Sequence, residues 1–219
     1  SNSWTVTVIA ASTVPSHGTA SKYVITDPTD GTVDAAITVT VQLLDAYNNR
    51  VTTGGDAGKD VTLAANGDAT GDGLVDIVAG IGTKSISNET AETVDLSLSD
   101  SETTGYNIDS TQDVIFGHGV ATHVAFNPEP STPTVAGVSF GTQPIVEIQD
   151  QYNNVVTNDS ASSITLKGYT TADCSTTAAD PDLSGDLSIT AVSGIATFSG
   201  VNYTKTTDTL YIKASTGAL

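Results

Sequence analysis

"ITVTVQLLDAYNNRVTT", residues 37–53, is written a second time as "TQPIVEIQDQYNNVVTN", residues 142–158, at an offset of 105 that keeps the pattern while the letters change. In the first copy Ile37, Val39, Val41 and Leu43 alternate with Thr38, Thr40, Gln42 and Leu44; in the second, Val146 and Ile148 take the places of Val41 and Leu43. Period two is the signature of a half-buried strand, so each stretch is predicted to be a strand with one face in a core. Each strand then ends in a turn. Asp45 and Asp150 are placed to accept a hydrogen bond from a backbone N–H two residues on, and Asn48-Asn49 and Asn153-Asn154 tolerate the left-handed backbone of a tight turn. Tyr47 and Tyr152 share the parity of the buried residues, so both rings are expected to lie over the end of the core as lids, with Val51 and Val156 re-entering it.

The repetition continues on both sides. "KDVTLAA" with Val61 and Leu63 is matched by "SSITLKG" with Ile164 and Leu166, and two hairpin-like segments, "LVDIVAGIGT" and "LSITAVSGIAT", turn near Gly80 and Gly194. Final strands follow in "TVDLSLS" with Val94, Leu96 and Leu98, and in "DTLYIKAS" with Leu210, Ile212 and Ala214. His-Gly precedes the opening strand of each copy, in "SHGTASKYVIT" and "GHGVATHVAF". Many short strands at turn-punctuated intervals over about 100 residues read as a β-sandwich, and self-similarity at that interval reads as stacked modules. The expected fold is all-β with helix nearly absent: two tandem β-sandwich domains over residues 21–120 and 121–219. Residues 1–20, with "WTVTVIA" at 4–10, are expected to be the last strand of a preceding repeat or a strand that docks onto a neighbour.

The second copy carries a resemblance. "AGVSFGTQPIVEIQDQYNNVVT", "SITLKG" and "LSGDLSITAVSGIATFSGVNYTKTTDTLYIKASTG" together resemble the tandem immunoglobulin-like repeats of very large bacterial and archaeal surface and secreted proteins, related in style to the Ig-like domains of invasin and intimin-type adhesins. The resemblance covers residues 121–219 well and 21–120 more loosely. It implies Ig-like β-sandwiches used as stalks, spacers, adhesive surfaces or surface-polymer subunits, with no catalytic site. Two departures stand out. The family phrase usually has Gly-Asn after the Tyr, where this chain has Asn-Asn; and relatives often pair a cysteine near Cys174 with one close to Gly200 and Val201, a partner missing here. Cys174 is the single cysteine, so no disulfide forms within the chain; it is either buried or paired outside.

Bulk properties narrow the function. Twenty-five acidic against seven basic residues give a net charge of −18, which repels nucleic-acid phosphates and anionic lipid, so neither nucleic-acid binding nor membrane insertion is expected. The absence of Met is expected of a segment of something longer. No nucleophile elbow, phosphate-cradling loop or zincin motif occurs, and an enzyme is not expected. The leading expectation is an extracellular, cell-surface structural segment whose partners are neighbouring repeats or identical subunits in a filament, with a surface ligand as a further partner. The alternative is a ligand- or carbohydrate-binding module of a secreted protein; a hydrolase is the third reading.

Candidate sites are sparse. Asp-x-x-Gly-Asp recurs as Asp68 to Asp72 and Asp182 to Asp186, and with Asp76 and Asp180 these carboxylates suit calcium, though Asp beside Gly is also ordinary turn chemistry. No other cofactor is expected. His17, His118 and His123 lie at the junctions, where packing is expected before metal binding. Asn88, Asn158 and Asn202 stand in Asn-x-Ser/Thr sequons, and Trp4 is expected in a core or an interface before a sugar platform.

Overall fold

The computed structural model describes residues 17–133, 135–178, 182–206 and 209–217. These contain only strands, turns and bends, and no helix among them is long and apolar enough to cross a membrane. The strand at 4–10, Trp4 and Asp180 lie outside the described residues.

The chain divides into two compact units. The first holds residues 17–31, Ala36–Ser87 and Thr93–Ile115; the second holds Thr32–Ala35, Asn88–Glu92 and the chain from Phe116 onward. The first half supplies β1 (Ala20–Thr26), β2 (Gly31–Thr32), β3 (Ile37–Asp45), β4 (Val61–Ala65), β5 (Gly73–Val75), β6 (Ile81–Ile86), β7 (Thr93–Ser99) and β8 (Gln112–Gly117). One sheet has the order β1-β3-β6 and the other β2-β8-β7-β4-β5, with antiparallel pairing along β1-β3-β6 and along β8-β7-β4-β5. First, second and fifth sandwich strands in one sheet, with third, sixth and seventh in the other, is the immunoglobulin-like division. The alternation explains it: Val39, Val41 and Leu43 of β3, Val61 and Leu63 of β4, and Val94, Leu96 and Leu98 of β7 are all buried.

The second half repeats the plan with β9 (His123–Phe126), β10 (Ile145–Gln149), β11 (Ser163–Tyr169), β12 (Leu183–Ser184), β13 (Ser188–Thr190), β14 (Ile195–Thr197), β15 (Asn202–Tyr203) and β16 (Tyr211–Thr216). Its sheets run β14-β10-β9, β13-β11-β16 and the short pair β12-β15. They enclose a core of Phe140, Val146, Ile148, Ile164, Leu166, Phe198, Val201 and Tyr203 among others, with Val124, Phe126, Leu210 and Ile212 packed partly against it.

Two expectations need correction. Tyr47 is 83% exposed and covers nothing. The parity argument fails because β3 stops at Asp45, and the turn that follows, with Asn48 at a φ of 67°, no longer alternates sides. Tyr152 is half-buried. Nor are the hairpin-like segments two-stranded ladders. β5 pairs with β4, β6 pairs with β3, and only the bridge Val78↔Ile81 closes the turn between them; Val192↔Ile195 does the same in the second copy. The chain crosses from one sheet to the other through buried Ile77, or Ala191, and then turns. Both turns have positive φ at their two central residues, 50° and 75° at Ala79-Gly80 and 50° and 78° at Ser193-Gly194.

Candidate functional site

The residues most closely shared by the two copies build a joint that fixes the first strand of each sandwich. Asp45 is buried at the end of β3, and its carboxylate is shared among four donors. Oδ1 accepts the N–H of Tyr47 at 2.8 Å and of Asn49 at 2.9 Å; Oδ2 accepts the Asn49 side-chain amide at 3.0 Å and the N–H of Gly18 at 2.6 Å. Asp150, 0% exposed, repeats the set with Tyr152 at 2.8 Å, Asn154 at 2.9 Å, the Asn154 amide at 3.0 Å and Gly119 at 2.7 Å. The bonds from the Tyr47 and Tyr152 N–H groups, two residues on, are the expected ones, and those from Asn49 and Asn154 add to them. The Gly18 and Gly119 contacts are not local: they tie the His-Gly lead-in of β1 or β9 to a turn 27 or 31 residues later.

The joint has a definite charge state. The Gly18 N–H, helped by Asn49 and Tyr47, holds the Asp45 carboxyl well below its usual value against burial. For Asp150 burial is the largest influence and would raise it, but the donors of Gly119, Asn154 and Tyr152 together outweigh it and the carboxyl also sits below its usual value. Both aspartates are ionised at neutral pH, and each negative charge is fully used by N–H donors.

Other residues of the phrase hold the turn down. Val51 and Val156 re-enter the core as expected, their N–H groups donating to Leu43 and Ile148. The glycines of the cross-sheet turns lie directly on them: a methyl group on Gly194 would stand 2.6 Å from the Val156 carbonyl oxygen. In the second unit Asn154 reaches further, its amide donating to Glu89 O at 2.8 Å while its Oδ1 accepts Ala91 N–H at 2.9 Å. Asp34, another residue of that unit, accepts from Gln151 at 3.1 Å and from Val120 N–H at 3.1 Å.

The Asp-x-x-Gly-Asp motif also has a backbone role. Its glycines, Gly71 at a φ of 89° and Gly185 at 111°, press against the backbone of Ser85 and Gly200, where an added methyl would sit 2.5 Å from a carbonyl oxygen in each case. Asp68, Asp72, Asp76 and Asp186 are exposed; Asp72 accepts from Ala65 N–H at 3.3 Å and Asp186 from the Ser199 hydroxyl. Asp182 is buried and faces Lys205 at 3.6 Å and the Thr204 hydroxyl. Among the described residues no group of three or more His, Cys, Asp or Glu side chains is gathered as a metal site.

The remaining candidates stand apart. His17 bonds the Thr53 hydroxyl, His118 the Gly119 carbonyl and His123 the Thr122 hydroxyl. Asn88 is buried, its amide donating to Glu92 and its oxygen capping Thr90 N–H, so a glycan there would displace both bonds. Asn158 is exposed, and Asn202 is half-buried against Gly200 O and Ser184. Cys174 is a free, half-exposed thiol on the wall of a cleft in the second unit.

No family model matches the chain, and no curated protein matches it. Among solved structures it is similar to the D0-D1 domain of intimin, at 16% identity over 91% of this chain and 92% of that one, with a TM-score of 0.35. It is similar to invasin, a bacterial integrin-binding protein, at 13% identity over 90% of this chain, with a TM-score of 0.38; there it spans 36% of the solved chain. It is also similar to the Escherichia coli adhesin FdeC, at 14% identity, 86% and 62% coverage and a TM-score of 0.39. At these values the fold rests on the sheet order and burial above.

Proposed function

We propose that the chain is a non-enzymatic, extracellular structural segment of a longer cell-surface protein, serving as a stalk or surface-filament repeat. The observation that carries this reading is the joint built twice from the same residues, Gly18 on Asp45 and Gly119 on Asp150. A carboxylate whose lone pairs are taken by backbone and amide donors is unavailable for acid–base or nucleophilic work, so the best-kept residues of the repeat are spent on holding strands in place.

The first unit supports a mechanical role in another way. β1 has a second neighbour besides β3: Tyr23 N–H donates to Asn107 O at 2.9 Å, Asn107 N–H to Ser21 O at 3.0 Å and Ile25 N–H to the Ser110 hydroxyl at 3.0 Å, with Lys22 and Asn107 in a parallel bridge. The chain comes into this unit at β1 and leaves it through the segment leading into β8. Tension applied at the two ends of the unit therefore pulls two parallel neighbours in opposite directions along their length. Their hydrogen bonds lie across the pull and must break together, which is the stronger way to load a strand pair. The joint at Gly18 adds a charge-assisted bond at the point where the pull arrives. No specific observation favours the carbohydrate-binding alternative: the exposed Tyr47 and Tyr211 belong to different units.

Electron microscopy of the parent protein, taken from the cell surface and the culture medium, tests the proposal. Threads or fibres that carry this segment along their length are expected; recovery of the parent as a compact protein inside the cell would overturn it.

A further inference from the structure

The end of β4 in the first unit is tied to β7 by a clamp that the second copy lacks. Asn66 continues the pairing beyond Ala65, its N–H donating to Asp95 O at 3.2 Å. Its side chain then closes a reciprocal pair on the same residue. The amide donates to Asp95 Oδ2 at 2.8 Å, and Oδ1 accepts the Asp95 N–H at 2.7 Å. By the offsets that match Val61 to Ile164 and Val94 to Leu210, the corresponding rung of the second copy is Tyr169↔Tyr211, between β11 and β16. The clamp is therefore no part of the shared sandwich plan. What sets Asn66 apart is its neighbour: Asn66-Gly67 is the one Asn-Gly step in the chain, and Gly67 opens a turn at a φ of 65°. Asn66, Gly67 and Asp95 are all exposed, so water and hydroxide reach them.

We propose that Asn66 is a site of spontaneous deamidation, and that the Asp95 clamp holds it unreacted while the first unit is folded. An Asn before Gly is open to attack by the next backbone nitrogen, because glycine has no Cβ to keep that nitrogen away. The Gly67 nitrogen gives its proton to hydroxide and bonds to Asn66 Cγ. The Cγ–Nδ2 bond breaks, and ammonia leaves with a proton taken from water. Water then opens the five-membered imide, at Cγ to give aspartate or at the main-chain carbonyl to give isoaspartate, whose backbone runs through the side chain. The net change is one water consumed and one ammonia released, with no oxidation. The clamp opposes the first step, since the carboxamide must turn its carbon toward Gly67 and free Nδ2, and both of its ends are fixed on Asp95. Opening two such bonds slows the reaction by at least about tenfold. Either product then dissolves the clamp. A carboxylate at position 66 has no hydrogen for Asp95 Oδ2 and faces it as a like charge across the strand pair, while isoaspartate lengthens the chain by one carbon where it turns. The end of β4 is thereby released from β7, so the clamp sets how long the first unit keeps this rung.

The test incubates the full chain at neutral pH and one temperature, in buffer and in urea, and follows asparagine, aspartate and isoaspartate at position 66 by peptide mapping and mass spectrometry. Conversion is expected to be at least about tenfold slower in buffer than in urea. Asp95→Ala, checked for folding by far-UV circular dichroism, is expected to convert at least about threefold faster than the parent in buffer and equally fast in urea. Asp95→Asn keeps an acceptor oxygen for the Asn66 amide and is expected to fall between them. In aged protein, the converted fraction is expected to exchange its amide hydrogens faster across 64–67 and 94–97. Equal conversion of the parent in buffer and in urea, or a folded Asp95→Ala chain that converts no faster than the parent, would each overturn the proposal. The comparison of the parent in the two solvents remains decisive if Asp95→Ala fails to fold. None of these outcomes bears on where the parent protein is found, which microscopy decides separately.

Discussion

Replacing Asp150 by Asn tests whether the joint is held by its charge. The side chain is completely buried and serves four donors through two oxygens. Asparagine keeps one oxygen and turns the other into an NH2 group that must face donors. If its oxygen stays with the Tyr152 and Asn154 N–H groups, the Gly119 N–H loses its acceptor and the Asn154 amide loses its 3.0 Å bond, keeping the longer one at 3.2 Å and the one to Glu89 O; if the amide flips, the two turn N–H groups lose theirs. Either arrangement forfeits two hydrogen bonds to a charged group, each contributing about 1.5–3 kcal/mol, and leaves a buried donor opposed by another donor. The two surviving bonds become neutral and weaker. The loss is at least about 3 kcal/mol, enough to move a urea midpoint by about 1 M or more at the slopes usual for domains of this size. Urea titration followed by circular dichroism gives the magnitude, and hydrogen exchange across 116–126 and 150–156 locates it. The acid limb gives an independent check. Because the carboxyl lies below its usual value in the fold, its contribution is full at neutral pH and declines as pH falls below about 4, where the unfolded chain takes up the proton first. Asp150→Asn must flatten that part of the profile. A variant within about 0.5 kcal/mol of the parent, with the same acid limb, would refute the assignment of the lead-in to this carboxylate.

Gly194→Ala places a methyl 2.6 Å from the Val156 carbonyl oxygen at a φ of 78°, so a loss of at least about 2 kcal/mol is expected in the same titration. Gly200, also at positive φ but with nothing within 4 Å of an added methyl, should lose only about 1 kcal/mol as Ala. Asn88→Ala removes the cap on Thr90 and the bond to Glu92, and should cost about 1–3 kcal/mol, whereas exposed Asn158→Ala should stay within about 0.5 kcal/mol. Thermal melts in calcium and in chelator at matched ionic strength should coincide, because the described aspartates of the two Asp-x-x-Gly-Asp motifs are not gathered in groups of three or more; a rise in calcium would identify the motifs as ligands.

Much of the sandwich is legible in the sequence because burial within a strand follows a local rule. Val39, Val41, Leu43, Val61, Leu63, Val94, Leu96, Val146, Ile148, Ile164 and Leu166 alternate, and all are buried. The rule fails where the strand stops, which is why Tyr47 escapes it. It also fails where burial depends on what lies across a sheet edge. Leu210, Ile212 and Ala214 have the period of Val94, Leu96 and Leu98, and nothing in their letters tells that, among the described residues, one set is fully buried beside β8 and the other only partly buried. The Gly18–Asp45 and Gly119–Asp150 bonds were beyond local reading for the same reason. An aspartate followed by Tyr-Asn-Asn explains itself as a turn, so the sequence contains no demand for a further donor. The available signal was the joint recurrence of His-Gly and Asp at nearly equal offsets, which marks both as parts of one repeating device without saying that they touch.

That distinction bears on what the repeat maintains. Core positions change letters between the copies, Leu43 to Ile148 and Val61 to Ile164, because any apolar side chain of suitable volume satisfies them. Asp, Tyr, Asn-Asn and the His-Gly lead-in recur unchanged because a buried carboxylate matched to four donors has no close substitute; a longer, shorter or neutral side chain leaves at least one donor unpaired. The tyrosine is the exception: it recurs although it is exposed in one copy and half-buried in the other, and neither side chain closes the core. The invariant part of the phrase therefore holds each first strand by a charge-assisted bond, at the point where tension along a string of modules would arrive. On the proposed stalk reading, a module can vary its core and still transmit load, but it cannot release its first strand and do so.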